Sequence, residues 1–147
     1  MSTGKILLAR PNSFIVKHMK RLMEDSGNIP LPLKNIKELK SISNVDLKAI
    51  VISTSVSSVV AESYFDVLEL VKDHYGDKPI FLATLTEVES VRRAFNQRAE
   101  TSNIKLQSIE EACEEIDPHA IIVIKKSDLT DESLYQKTLT VMKKRLA

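Results

Sequence analysis

Ile6-Leu7-Leu8-Ala9, followed directly by Arg10-Pro11, is the segment from which the architecture of this chain can be worked out. Four consecutive apolar residues, with no alternation of apolar and polar positions, predict a strand that is covered on both faces, as in a parallel sheet between two layers of helices. A second run of the same kind, Ala49-Ile50-Val51-Ile52, is followed by Ser53-Thr54. Open α/β sheets carry their functional groups where the strands end, so the residues after these two runs are the first candidates for a site.

Two prolines stand in the predicted second strand, Ile29-Pro30-Leu31-Pro32-Leu33. Proline has no N–H to donate to a neighbouring strand, so this strand must lie at an edge of the sheet. Further apolar runs predict strands at residues 80–83 and 120–124, with amphipathic helices between the strands. We therefore predict an α/β three-layer sandwich around a central, mainly parallel five-stranded sheet in the order 2-1-3-4-5.

An extra segment, residues 98–118, precedes the last predicted strand. It could hold a short strand at 104–106 and a helix at 108–116. That helix would carry Glu110-Glu111 and Glu114-Glu115 on its exposed side. Acidic clusters of this kind are nearly always solvated, so we expect a surface rather than an acid–base pair.

Length and composition indicate one ordinary globular domain spanning residues 1–147. The chain has 147 residues, 43% of them hydrophobic and 28% charged, with a net charge of +1. A near-neutral charge gives no general attraction to nucleic acid or to a membrane surface, and we expect neither as a partner. The single cysteine, Cys113, cannot form an intrachain disulfide, and no signal peptide or apolar span is apparent. These features predict a cytoplasmic protein.

Metal and cofactor sites are not expected from the sequence. The three histidines, His18, His74 and His119, are scattered, and Cys113 has no second ligand at a metal-binding spacing. Only three glycines occur, so no glycine-rich phosphate cradle is present.

Several segments together resemble the receiver domain of bacterial response regulators, which has a flavodoxin-like fold. Lys5-Ile6-Leu7-Leu8-Ala9 is similar to the opening strand, and Thr84 lies where receivers carry their switch hydroxyl. Ile122-Val123-Ile124-Lys125-Lys126 resembles the last strand with its phosphate-contacting lysine. The resemblance implies a signalling module without an enzymatic activity or a cofactor of its own.

The residues that a working receiver needs are replaced. Receivers hold Mg²⁺ with an acidic pair after the first strand and phosphorylate an aspartate at the end of the third strand. Here Arg10-Pro11 occupies the first place and Ser53 or Thr54 the second, while the nearest carboxylate, Asp46, precedes its strand. The resemblance therefore implies a pseudo-receiver that acts through surfaces, independently of aspartyl phosphorylation.

An alternative is a sensor of small anionic ligands at the carboxyl ends of the strands. Guanidinium, ammonium and hydroxyl groups at one sheet edge favour an anion. The residues expected there are Arg10, Ser53, Thr54, Thr84, Lys125 and Lys126. An unrelated flavodoxin-like domain and a small enzyme of unknown reaction also remain open.

A protein partner, or a second copy of the chain in a homodimer, is the expected binding partner. Receivers commonly dimerise through the face formed by the fourth helix, the last strand and the last helix. The resemblance implies that this face is used here, bordered by Tyr135 and by the basic residues Lys143, Lys144 and Arg145.

Overall fold

The computed structural model describes residues 4–10, 13–33, 36–42, 47–54, 63–76 and 78–147. Pro11 and Asp46 lie outside these residues. The strands are β1 (Lys5–Arg10), β2 (Ile29–Pro32), β3 (Leu47–Ser53), β4 (Ile80–Thr84), β5 (Leu106–Ser108) and β6 (Ile121–Lys125). The α-helices are α1 (Ser13–Asp25), α2 (Tyr64–Tyr75), α3 (Val88–Asn96), α4 (Ile109–Glu114), α5 (Lys126–Thr130) and α6 (Glu132–Leu146), and a 3₁₀ helix spans Ile36–Ser41.

All six strands form one parallel sheet in the order β2-β1-β3-β4-β6-β5. The predicted α/β class and parallel sheet are confirmed. The predicted count of five strands is wrong, because a sixth strand from the extra segment pairs outside the last one. The remaining five strands keep the predicted order.

The proline-containing strand β2 lies at the sheet edge, as its sequence predicts. It pairs only with β1, in a register that sets Pro30 against Ile6 and Pro32 against Leu8. Because no strand of the described residues lies on its other side, the missing N–H groups leave no inner ladder incomplete.

The apolar strands pack against helices on both faces, which gives the predicted three layers. Alternate residues of β1 enter different cores: Ile6 and Leu8 pack in one, Leu7 and Ala9 in the other. The first core takes its helical residues from α1, α4, α5 and α6. The second takes them from α2, α3 and the 3₁₀ helix. Two-sided burial explains why the strands read as continuous apolar runs.

The extra segment folds as a strand and a short helix, a little later in the chain than predicted. The strand is Leu106–Ser108 rather than 104–106, because its pairing with β6 begins where Ile121 N donates to Lys105 O at 2.9 Å. The helix begins after Ser108, whose hydroxyl accepts from Glu111 N at 3.1 Å. In return Glu111 accepts from Ser108 N at 2.8 Å, and this reciprocal cap fixes the start of the helix.

Candidate functional site

The carboxyl ends of four neighbouring strands meet along one edge of the sheet. Parallel pairing sets Arg10 beside the end of β3, Ser53 opposite Ala83, and Thr84 opposite Lys125. We call the row formed by Arg10, Ser53, Thr84 and Lys125 the carboxyl-end edge. The structure therefore places the predicted site residues side by side.

Arg10 is buried, with a relative exposure of 7%. Its Nη1 donates to the main-chain oxygen of Ser53 at 2.8 Å, which ties the end of β1 to the end of β3. A guanidinium at this depth needs its donors satisfied, because water cannot solvate it freely. Arg10 is thus part of the internal structure of the edge.

The two threonines predicted at this edge are also held by the protein. Thr84 is buried, its hydroxyl lies 2.9 Å from the Thr86 hydroxyl, and it accepts from Thr86 N at 3.1 Å. Thr54 is half-buried, and its N–H donates to Ala83 O at 2.9 Å. These hydrogen bonds close the turn after β4 and extend the pairing of β3 with β4.

Lys125, the lysine at the end of β6, forms an ion pair with the extra segment. Its Nζ lies 2.8 Å from Glu110 Oε1 in α4. This hydrogen bond is the main cause that raises the pKa of Lys125, and it likewise lowers the pKa of Glu110. Lys126 is the first residue of α5 and is exposed. The extra segment thus supplies the counter-ion for one of the two lysines at the predicted Lys125-Lys126 corner.

All four glutamates of the acidic cluster are exposed, as predicted, and two of them also form ion pairs. Glu110 pairs with Lys125, and Glu111 pairs with Arg92 of α3 while it caps its own helix. Glu114 and Glu115 are exposed, as expected. Sequence alone gave no signal for the pairs, because their partners lie 15 and 19 residues away.

Asp128 is a buried carboxyl group that sequence reasoning passed over. Its Oδ2 accepts from Lys125 N at 3.0 Å and caps α5, while its Oδ1 is buried without a hydrogen-bond partner. Burial raises the pKa of Asp128, and the nearby Lys125 offsets only part of that effect. Lysine is not among the residues that usually cap a helix start, so the sequence carried no capping signal for this contact.

Three carboxylates act electrostatically on the Lys125 ammonium: Asp128, Glu110 and Glu87. Within the described residues, no group of three His, Cys, Asp or Glu side chains is arranged to hold a metal ion. The positively charged group near these three carboxylates is the ammonium of Lys125.

Tyr64, at the start of α2, is a second residue that sequence reasoning did not single out for this edge. Burial raises the pKa of its hydroxyl, and the positive charges of Arg98 and Arg10 counteract that rise. Its ring stacks on Phe65, with centroids 4.3 Å apart. The Arg10 guanidinium thus acts electrostatically on the Tyr64 hydroxyl.

The predicted interface residues do not all reach the surface. Tyr135 is buried, its hydroxyl donates to Asp25, and the Arg21 guanidinium lies 3.9 Å above its ring. The ring of Tyr135 packs in the core beneath α1, and a role at an interface stays a prediction. Lys143 and Lys144 are exposed, whereas Arg145 is half-buried and donates to Pro118 O at 3.0 Å.

The last strand is also not available as part of a contact face. β5 pairs with β6 along its outer side, and α4 packs on α6. The predicted face of fourth helix, last strand and last helix is consequently interrupted by the extra segment. The apolar sequence of β6 predicts a strand in the interior of the sheet, but it does not indicate which strand pairs with its outer side.

Comparison with known proteins identifies the fold. No protein-family model and no curated protein sequence matches the chain. Several solved structures do match. One is the signal receiver domain of an HD domain-containing protein from Pseudomonas fluorescens, at 11% sequence identity and a TM-score of 0.57, with 98% of both chains covered. Another is a response regulator receiver domain protein from Clostridium thermocellum, at 15% identity and a TM-score of 0.56, with 97% of this chain and 98% of that chain covered. A further one shows two RcsB dimers bound to two parallel DNAs, at 11% identity and a TM-score of 0.53, with 97% of this chain and 65% of that chain covered.

These similarities show that the chain has the receiver-like α/β fold. The identities are too low to carry residue roles, partners or chemistry from those proteins. Within the described part of the chain, none of the helices combines the length and the apolar character that crossing a bilayer requires.

Proposed function

We propose that this chain is a signalling and protein-interaction module that works without aspartyl phosphorylation and without catalysis. The observation that carries the proposal is the ion pair of Lys125 with Glu110 at 2.8 Å. A lysine that must contact an incoming phosphoryl group needs its ammonium available, and here a carboxylate of the same chain occupies it.

The residues at the neighbouring strand ends support the same conclusion. Phosphoryl transfer to a carboxylate requires a metal ion to neutralise the developing charge. β1 ends in a buried arginine and β3 in a buried serine. A buried guanidinium and a divalent cation would repel each other at this depth, where charge interactions are strong.

The anion-sensor alternative at the carboxyl-end edge has less support. Arg10 donates to a main-chain oxygen and Lys125 to Glu110, so an anion would have to displace existing contacts before it could bind. Each displaced contact subtracts from the affinity of such a ligand.

The test of phosphorylation independence uses beryllofluoride, which mimics a phosphoryl group on aspartate in the presence of Mg²⁺. We expect the amide NMR signals of Ser53, Thr84 and Lys125 to stay where they are at millimolar concentrations. An active receiver domain treated in the same way is the positive control. Saturable shifts confined to these strand ends would contradict the proposal.

We further propose that the contact surface lies on α4 and α6 and that a second copy of this chain occupies it. The exposed Lys143 and Lys144 lie in the last turn of α6. The exposed Glu114 is the last residue of α4, and the exposed Glu115 follows it. In a two-fold contact the basic group of one copy can meet the acidic group of the other. The RcsB structure is described as dimers, which agrees with self-association of this fold. The exposed, unpaired Cys113 on α4 is consistent with the cytoplasm as the site of action.

Light scattering over a range of protein concentrations tests this surface. We expect Lys143→Glu/Lys144→Glu to weaken dimers about tenfold or more, and Glu114→Lys/Glu115→Lys in the partner copy to restore them. Lys17→Glu/Lys20→Glu on α1 has the same charge change away from the surface and should have no effect. A monomer at every concentration would contradict the dimer but would leave phosphorylation independence standing.

A further inference from the structure

A cavity of about 540 Å³ lies at the opposite edge of the sheet, where β4, β5 and β6 begin. We call it the amino-end cavity. The ends of α2 and α6 and the approaches to the three strands form its walls. Its volume falls within the range of roughly 300–1,000 Å³ that is typical of sites for small molecules.

The walls of the amino-end cavity carry an excess of positive charge. Its basic lining residues are Lys72, Lys78, Lys105, His119 and Arg145, and none of the described residues of the lining is an Asp or Glu. The ion pair that the structure records for these residues is a loose one, from Lys105 Nζ to Asp117 Oδ2 at 3.7 Å. Within the described part of the chain, Lys72 and Lys78 have no carboxylate at ion-pair distance.

Hydrogen bonds at the rim hold the shape of the cavity. Arg145 donates to Pro118 O at 3.0 Å, which joins the end of α6 to the start of β6. Asp117 accepts from His119 N at 2.8 Å, and this turn precedes β6. These contacts leave the guanidinium and the imidazole at the cavity wall.

Apolar side chains form the rest of the lining. Ile80 and Ile104 are half-buried, and Ile121 is nearly buried. A wall that combines aliphatic groups with several cations matches a ligand with an apolar or flat organic part and a phosphate-bearing part. A purely inorganic ion would use the cations alone.

Basic residues in the last turn of a helix often serve only to offset the helix dipole. This reading accounts for Lys72 in α2 and Arg145 in α6. It does not account for Lys78, which follows the end of α2, or for Lys105, which directly precedes β5. The cations therefore come from four separate segments that converge on one cavity. Asp77, beside Lys78 in sequence, lies outside the described residues.

We propose that the amino-end cavity binds an organic phosphate, a nucleoside polyphosphate or a compound of the same chemistry. The proposal is independent of the function proposed above, since it concerns the opposite edge of the sheet. Cations supply the attraction and the isoleucines contact the organic part. The binding would let this signalling module respond to a metabolite at a place remote from the carboxyl-end edge.

The probe is ATP without Mg²⁺, and its binding to the full chain is measured by isothermal titration and by amide NMR. We expect saturable binding, with shifts centred on Asn103, Lys105, His119 and Ala120. Pyrophosphate should bind more weakly than ATP, and adenosine without phosphate should not bind. The affinity should fall as salt is raised, because exposed charges are screened.

Paired variants decide whether the cavity itself is responsible. Lys72→Gln/Lys78→Gln should weaken ATP binding about tenfold or more. Lys17→Gln/Lys20→Gln removes the same charge from exposed positions on α1, outside the cavity, and should leave the affinity within about twofold. The fold of each variant is checked from its NMR spectrum.

Three results would overturn the proposal. One is the absence of ATP binding at millimolar concentration in the wild-type chain. Another is an equal loss of affinity in both paired variants, which would indicate a general charge effect. The third is pyrophosphate binding as tightly as ATP, which would remove the organic part from the inferred ligand class.

Discussion

The two ends of the parallel strands differ in how their positive charges are satisfied. At the carboxyl-end edge, Arg10 bonds to a main-chain oxygen and Lys125 to Glu110, both at 2.8 Å. At the amino-end cavity, Lys72 and Lys78 face open space, and Lys105 reaches Asp117 only at 3.7 Å. The edge that holds the chemistry in receiver-like domains is here internally paired, and the opposite edge has cations available to a ligand.

This difference separates structural charges from charges that can bind a partner. A buried ionic group contributes to stability through partners that complete its hydrogen bonds, and removing one partner is costly. An exposed cation contributes little to stability, and its charge can still attract an anion from solution. Substitutions at the carboxyl-end edge should therefore change stability, whereas substitutions in the amino-end cavity should change binding.

The largest expected effect is on the stability of an Arg10→Met variant. The substitution keeps an unbranched apolar stem but leaves the Ser53 main-chain oxygen without its Arg10 donor, so we expect a loss of about 2–3 kcal/mol in the free energy of unfolding. Urea denaturation measures it. Lys5→Met, at the exposed amino end of the same strand, is the matched control and should stay within about 0.5 kcal/mol. Equal losses in both variants would erase the contrast between the two edges.

The second largest change in stability is expected for substitutions of Asp128, because this residue caps α5 and is buried. Asp128→Ala removes the acceptor for Lys125 N, and we expect a loss of about 1 kcal/mol in urea denaturation at neutral pH. Asp128→Asn keeps an acceptor and removes the buried charge, which makes its effect dependent on pH.

The sign of that pH dependence follows from the raised pKa of Asp128 in the folded protein. The folded state holds the proton more tightly than the unfolded state, so the contribution of Asp128 is most favourable below its ordinary pKa. It declines as the pH rises from that ordinary value through the raised folded value. Asparagine does not titrate, so Asp128→Asn should gain stability relative to the wild type between acidic and neutral pH. A difference that is the same at both pH values would contradict the buried-charge account.

A smaller effect is expected for the ion pair of Lys125 with Glu110. A double-mutant cycle with Lys125→Met and Glu110→Gln should give a coupling energy of about 0.5–1 kcal/mol, because the pair is partly exposed. The same cycle on Lys105 and Asp117 tests the looser pair of the amino-end cavity and should give a value near zero. A stronger coupling for the second pair would reverse the comparison.

The smallest expected change is in the stability of Lys72→Gln/Lys78→Gln. Both side chains lack a described carboxylate partner, so the free energy of unfolding should change by no more than about 0.5 kcal/mol. A slight gain is consistent with relief of repulsion among the cations, and it should disappear in high salt. A loss above about 1 kcal/mol, measured by thermal and urea unfolding, would show that these lysines are structural.

Most of the sheet could be predicted because a strand that is buried on both faces has a continuous apolar sequence. The apolar runs of β1, β3 and β6 and the prolines of β2 specify strands and one edge without reference to distant residues. β5 is different. Its three residues are all half-buried, so the sequence indicated only a possible strand at 104–106, and the actual register depends on β6. A strand of that length becomes visible through its partner.

The candidate site was only half predictable for a similar reason. Strand ends are adjacent in any parallel sheet, so the row of Arg10, Ser53, Thr84 and Lys125 followed from the strand order. The partner of Lys125 did not, since Glu110 reaches it from a helix whose placement the short strand β5 decides. The burial of Tyr135 likewise depends on how α6 packs against α1.

Local sequence established the layers, the parallel strands and the replacement of carboxylates at two strand ends, because side-chain hydrophobicity and chain connectivity act over a few residues. Only the folded chain paired Lys125 with Glu110 and gathered the basic side chains of four segments around one cavity. Those outcomes depend on distances between residues far apart in sequence, and such distances are fixed when the helices and strands pack.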